Sequence, residues 1–199
     1  MKARFSIACL LMLACFSFSA LAQEEEKAPA KKYGFKSAIV KLSTDVMGQR
    51  ITSTTYIDDF GAKECQKTKV SVPGAGEIEA ATIMKDGKVW AVDYSSKKVL
   101  DMTGKTDTPP NFLELDEESV KKYELQEVGK ETVLDKECTV YTMKEEVQGM
   151  KVDRKVWIYK GLMLKQETSA VGMKIKATVI ELQEDAAVLP QMFDIPNFE

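Results

Sequence analysis

The chain predicts a mainly β (α+β) fold: a curved antiparallel meander forming an incomplete barrel, with one or two short helices on the concave side. Three observations carry this expectation. Within residues 147–182, Met150, Val152, Val156 and Ile158 alternate with Lys151, Asp153 and Lys155; Lys160-Gly161 supplies a turn, residues 162–169 return, and beyond Gly172 the residues Met173, Ile175, Ala177 and Val179 alternate with Lys174, Lys176 and Thr178. Period-two alternation with one apolar and one lysine-rich side marks a half-buried sheet. Asp86-Gly87 stands between two strand-like runs, the strongest short-range hairpin signal. Only one stretch, residues 117–125, carries helix signals.

The elements follow in chain order. Lys2 and Arg4, an apolar run from Phe5 to Phe18 and the small residues Ala20-Leu21-Ala22 read as a secretory leader spanning residues 1–22, cut before Gln23. The mature chain is therefore expected in the periplasm. Met12-Leu13-Ala14-Cys15 approximates a lipobox, so lipid anchoring at Cys15 is the lesser alternative. Residues 23–32, QEEEKAPAKK, are polar and aperiodic and read as a disordered linker before a single domain over residues 33–199.

In that domain residues 33–47 alternate Ala38, Val40, Leu42 and Val46 with polar neighbours, and Gly48 allows a turn. Residues 50–57, RITSTTYI, are almost all β-branched; Arg50, flanked by Ser and Thr, reads as a solvent-facing charge. Residues 58–61 turn, 62–72 return, and Pro73-Gly74-Ala75-Gly76 breaks the strand. The Asp86-Gly87 hairpin joins residues 78–85 to 88–94, and residues 99–102 add a short strand. Pro109 and Pro110 place residues 103–111 in a loop. Asp116 is an N-cap for a helix over 117–125, with Leu115 and Val120 forming a staple and Val120 and Tyr123 facing the sheet. Strands resume at about 131–134 and 137–144, and Pro190 and Pro196 make the tail an extended closing segment. The run from Val46 to Ile57 also matches Val147 to Ile158 at an offset of 101, falling to 100 at Gly61 and Gly161, a faint duplicated meander.

Composition narrows the chemistry. Residues 1–22 hold two of the 28 basic residues and no acidic one, which leaves 26 against 31, a net charge of −5. A mildly acidic surface with interspersed charge does not suit nucleic acid. The chain has no histidine, which removes Ser-His and Cys-His activation and the commonest metal ligand. No phosphate loop, dinucleotide fingerprint or calcium loop is present, and no pair among the 31 acids stands out for glycoside hydrolysis. The expectation is a non-enzymatic protein with no cofactor and no metal site. Cys65 and Cys138 either form one disulfide closing a long loop or remain two separate buried thiols.

What remains is apolar area. Eight methionines follow the leader, and methionine adapts to variable acyl chains. Trp90, Tyr94, Trp157 and Tyr159 add rigid amphipathic surface. The candidate cavity lining is Met150, Val152, Val156, Ile158, Met173, Ile175 and Val179, joined by Trp90 and Tyr94; Trp157 and Tyr159 fall on the opposite face of their strand.

Residues 86–93 (DGKVWAVD), 129–141 (GKETVLDKECTVY) and 156–164, with the terminal Phe193-Asp194-Ile195-Pro196, resemble the periplasmic outer-membrane lipoprotein carrier family. The likeness is greatest to its lipoprotein-sorting-type relatives, with Asp135 where those show glycine, and it spans about residues 33–198. The resemblance implies an unclosed antiparallel barrel capped by helices, with an apolar cavity for acyl chains. The expected partner is thus a lipid or lipoprotein acyl chain. The alternative is a structural or interaction module of the envelope, with a closed core, no ligand and a protein partner.

Overall fold

The computed structural model describes residues 31–46, 48–72, 76–105, 109–147, 150–170 and 173–198. The expected leader, most of the expected linker, and residues 47, 73–75, 106–108, 148–149, 171–172 and 199 lie outside them. Eleven strands form one antiparallel sheet: β1 (Ala38–Val46), β2 (Gln49–Asp58), β3 (Lys63–Val72), β4 (Gly76–Lys85), β5 (Lys88–Asp93), β6 (Lys98–Asp101), β7 (Gln126–Val133), β8 (Lys136–Val147), β9 (Met150–Tyr159), β10 (Leu162–Ala170) and β11 (Met173–Glu184). Their order across the sheet is β6-β5-β4-β3-β2-β1-β11-β10-β9-β8-β7, so the sheet is curved but not closed. Every pairing but one joins sequence neighbours; the exception sets β1 against β11, from Ala38↔Glu184 to Val46↔Ile175.

Local chemistry accounts for the turns. Asp86 and Gly87 (φ 53° and 70°) and Lys160 and Gly161 (φ 47° and 82°) both occupy left-handed space, the backbone of the tight turn that matches strand twist. Leu134 and Asp135 do the same without glycine, at φ 50° and 58°. The helix α1 (Glu117–Lys122) is capped by Asp116, whose carboxylate accepts from the Ser119 N–H at 2.6 Å. It is shorter than the expected 117–125, because Glu124 turns left-handed (φ 46°) and drops Leu125 onto the sheet. That turn changes the packed face. Tyr123 and Leu125 are buried, whereas Val120, expected against the sheet, is 39 % exposed. Arg50 is exposed at the start of β2.

One end of the sheet is dry. Tyr33 and Phe35, stacked at 5.3 Å, pack with Ala38, Val40, Leu42, Ile57, Leu164 and Val179, and Cys138, Val140 and Trp157 belong to the same cluster. The segment carrying those rings is gripped by two turns. Phe60 O accepts from the Lys32 and Tyr33 N–H groups at 2.9 and 3.2 Å, and Lys160 O accepts from Gly34 at 2.9 Å. A side chain at Gly61 would meet Lys32 Cβ at 2.8 Å, and one at Gly161 would collide with the Lys32 carbonyl oxygen. Lys32, at the end of the expected linker, is therefore already part of the packed domain.

The outer face carries a strap. Phe193, in a turn of 3-10 helix over Pro190–Phe193, is fully buried against Cys65, Ala81, Ile83 and Val92 of β3–β5. Tyr94 meets Phe198 edge-on at 6.0 Å. Cys65 and Cys138 are free thiols in separate clusters. Burial pushes the Cys65 thiol up to about 11, with Lys67 pulling weakly back, and raises Cys138 in the same sense.

Glu184 ends β11 as a node. It accepts from Lys160 Nζ at 2.7 Å, Lys136 Nζ at 3.0 Å and the Tyr159 hydroxyl at 3.1 Å. Burial works to raise its carboxyl, but the three donors outweigh it and hold the group below its ordinary value.

Three outcomes follow from this packing. Gly161→Ala should destabilise by about 2–4 kcal/mol, from left-handed strain plus the clash with Lys32, whereas Gly48→Ala, with open space around it, should cost about 1 kcal/mol; urea unfolding midpoints separate them. Glu184→Gln should cost about 1–2 kcal/mol at pH 7. Because the folded carboxyl titrates below its unfolded value, that contribution is full above the unfolded value and is lost as pH falls through the folded one. Wild type and variant should therefore converge in stability from about pH 4 downward, as denaturation curves across pH would reveal. In a chain beginning at Gln23, neither cysteine should react with an aromatic disulfide reagent at pH 8 until denaturant is added, when both should; one thiolate reacting in the native state would contradict the burial.

Candidate functional site

Opposite residues in an antiparallel pair share a face. Reading the registers across β8–β11 gives one transverse row: Met143↔Arg154, Arg154↔Thr168 and Thr168↔Ile175, continued by Ile175↔Val46 of β1. The row lies on the concave face, at the end of the sheet away from the dry cluster. Above it is a cavity of about 660 Å³, lined by Met143, Arg154, Thr168 and Ile175 and by Asp45, Glu124, Gln126, Lys144, Lys174 and Lys176, among others. That volume is within the range of small-ligand sites. Tyr123 and Leu125, at the C-terminal end of α1, bury Val156 and Ile158 beside it, with Phe112 and Tyr141 tilted together at 5.6 Å. A smaller space of about 50 Å³ under the 109–112 loop shares Met143 and Arg154 with the large one.

The interior of this face is polar at its centre. Arg154 Nη2 pairs with Glu145, the two side chains being 17 % and 13 % exposed. Burial pulls the guanidinium below its ordinary value and the Glu145 charge pushes back. Thr168 is buried and its hydroxyl oxygen accepts from Gln166 Nε2 at 2.6 Å. Glu64 is buried with Lys32 Nζ at 2.5 Å and the Tyr33 hydroxyl at 3.2 Å. Burial, then the Glu64 charge, raises the Tyr33 phenol, which stays protonated and donates. Each of these buried groups needs a partner to offset its desolvation, and those named here supply it for the most part.

The expected lining residues are distributed unevenly. Ile175 lines the cavity. Val152, Val156 and Ile158 share its face and are buried, the last two beneath Tyr123 and Leu125. Val179 belongs to the dry cluster. Met150 and Met173, each 40 % exposed, begin β9 and β11 at the sheet tip. Trp90 and Tyr94 lie on the outer face: Trp90 sits opposite Ile83, and Tyr94 contacts Phe198. Trp157 is on the face opposite Val156, buried between Lys155 and Lys165 at 4.7 and 3.7 Å from its ring, and its indole N–H donates to Glu131 at 2.8 Å.

Arg154, Glu145 and Thr168 escaped the reading by alternation because charged and hydroxyl residues register there as outward. The signal was parity: Arg154 falls at an apolar position of β9, between Val152 and Val156, and Glu145 continues the series from Met143. A charge at a buried parity position is the pattern to seek. Among the described residues, no group of three His, Cys, Asp or Glu side chains gathers to hold a metal. No helix among them is long and apolar enough to cross a membrane.

No protein-family model matches the sequence, and no curated protein matches it. Solved structures do share the fold. An uncharacterized conserved protein from Thermus thermophilus superposes with a TM-score of 0.56 at 11 % identity, over 84 % of this chain and 90 % of the other. A chain of the Pseudomonas aeruginosa MucA/MucB complex superposes with a TM-score of 0.53 at 17 % identity, over 80 % of this chain. This chain spans only 56 % of that protein's length. At such identities the likeness establishes a common fold: an open, curved antiparallel sheet also used by a protein that enters a two-protein complex.

Proposed function

We propose that the chain is an exported, non-enzymatic envelope protein that holds a lipid or acyl chain, that of a lipoprotein included, in the concave-face cavity. The observation carrying this reading is the void of about 660 Å³ left over the β8–β11 row while the other end of the same sheet is packed dry. The leader-like start at residues 1–22 and the resemblance to lipoprotein carriers support it. The lining sets the apolar Met143 and Ile175 beside the polar Arg154 and Thr168, a surface suited to an amphiphile. The MucA/MucB complex supports a second reading, in which the chain binds a protein partner.

Native mass spectrometry of the purified chain from Gln23 should find a co-purified lipid, and a fluorescent fatty acid should bind and be displaced by unlabelled acyl chains. Ile175→Trp, which fills the cavity floor, should weaken that binding at least about 10-fold with little change in unfolding midpoint. A folded wild-type chain that carries no lipid and takes up no fatty acid would remove the carrier reading and leave the protein-partner one.

A further inference from the structure

We infer that Arg154 and Thr168 form an anion-binding pair on the cavity floor that holds the carboxylate or phosphate head of an amphiphile, with its alkyl chain along the flanking Met143 and Ile175. This rests on the carrier reading and specifies the ligand class.

Geometry makes the pair. Arg154 and Thr168 are directly opposed on β9 and β10 and both line the cavity. A guanidinium presents five N–H donors in a planar fork, and Glu145 engages Nη2. The buried Nε–H meets no acceptor among the described residues. The Thr168 oxygen already accepts from Gln166, which leaves its own O–H to donate. Two donors thus stand side by side just beneath the cavity floor, on residues that line it, and an oxyanion seated against them is the ligand that satisfies both, since carboxylate and phosphate match the fork. Met143 and Ile175, on either side of the pair in the same row, offer the tail an apolar bed.

The lining as a whole does not act by bulk charge. Lys144, Lys155, Lys174, Lys176, Asp45, Asp153 and Glu167 all border the cavity, but each alternates with the row that holds Arg154 and so projects from the opposite face of its strand. Lys144 is held by Glu124 and Lys155 by Glu131, each at 3.0 Å. Selectivity for an anion must then come from directed hydrogen bonds at Arg154 and Thr168, which predicts a dependence on head-group chemistry rather than on salt.

The test compares dodecanoate, dodecyl phosphate and 1-dodecanol, which share a tail, by calorimetry or probe displacement. Wild type should bind both anions at least about 10-fold more tightly than dodecanol. Thr168→Val, nearly isosteric, and the double variant Glu145→Gln/Arg154→Met, which removes the ion pair without stranding either charge, should reduce that preference to about twofold or less while dodecanol affinity is unchanged. Because the readout is a ratio between ligands on one folded protein, a change in stability does not imitate it. The relative strength of carboxylate and phosphate separates a free fatty acid from a phospholipid-type head; either preference supports the pair. Equal binding of dodecanol and the anions, or a preference that survives both variants, would make Arg154 only the structural partner of Glu145 and leave the carrier reading intact. Binding of none of the three would overturn both.

Discussion

The pairing of β1 with β11 is the constraint on which the rest of the sheet depends. Two local meanders, β1–β6 and β7–β11, are each assembled from hairpins between sequence neighbours. Among the strand pairings, only the ladder from Ala38↔Glu184 to Val46↔Ile175 joins them. Its formation carries the loop-closure entropy of most of the domain, the largest such cost of any pairing in the sheet. It also builds the site: Asp45 and Val46 become neighbours of Ile175 and Lys176 only through it. A register shift between Lys41 and Leu42 accommodates one extra residue of β11, and Lys41 and Glu181 pair across that irregularity at 2.5 Å.

The two ends of this sheet are built for different tasks. At the dry end, apolar burial and two glycine turns fix the segment of Tyr33 and Phe35, and Glu184 ties the end of β11 to the turns flanking β8 and β10. At the other end the same strands leave space and place Arg154, Glu145, Gln166 and Thr168 where a packed core would hold aliphatic residues. Buried ion pairs contribute little net stability, since desolvation offsets attraction. The stability of the dry end is what tolerates a polar row at the wet one.

Much of the architecture was legible in the chain. Asp86-Gly87 and Lys160-Gly161 turn as their chemistry requires, Asp116 caps the helix, and the offset match between residues 46–57 and 147–158 falls on corresponding hairpins, β1–β2 and β8–β9. Other features depend on tertiary context. β7 begins at Gln126, earlier than residues 131–134 suggest, because it is almost wholly exposed and shifts register at Gly129, which removes any apolar alternation. Trp90 and Tyr94 do alternate with inward residues, but the face they mark is covered by the C-terminal strap, and which face a distant segment will cover is not written in a strand's own period. Of the expected apolar lining Ile175 borders the cavity, and Arg154 and Thr168, which border it too, are brought together only by the register between β9 and β10.

An unclosed sheet has two borders, and each presents backbone donors and acceptors to any extended chain nearby. Here one border is the four-residue β6, too short to template a long ladder, and the other is β7, where Glu127, Lys130 and Glu131 alternate around the kink at Gly129. Brevity at one side, and charge with a broken register at the other, discourage strand addition. The concave side can therefore stay uncovered without either border of the sheet offering a ready template for strand addition by a further copy of the chain.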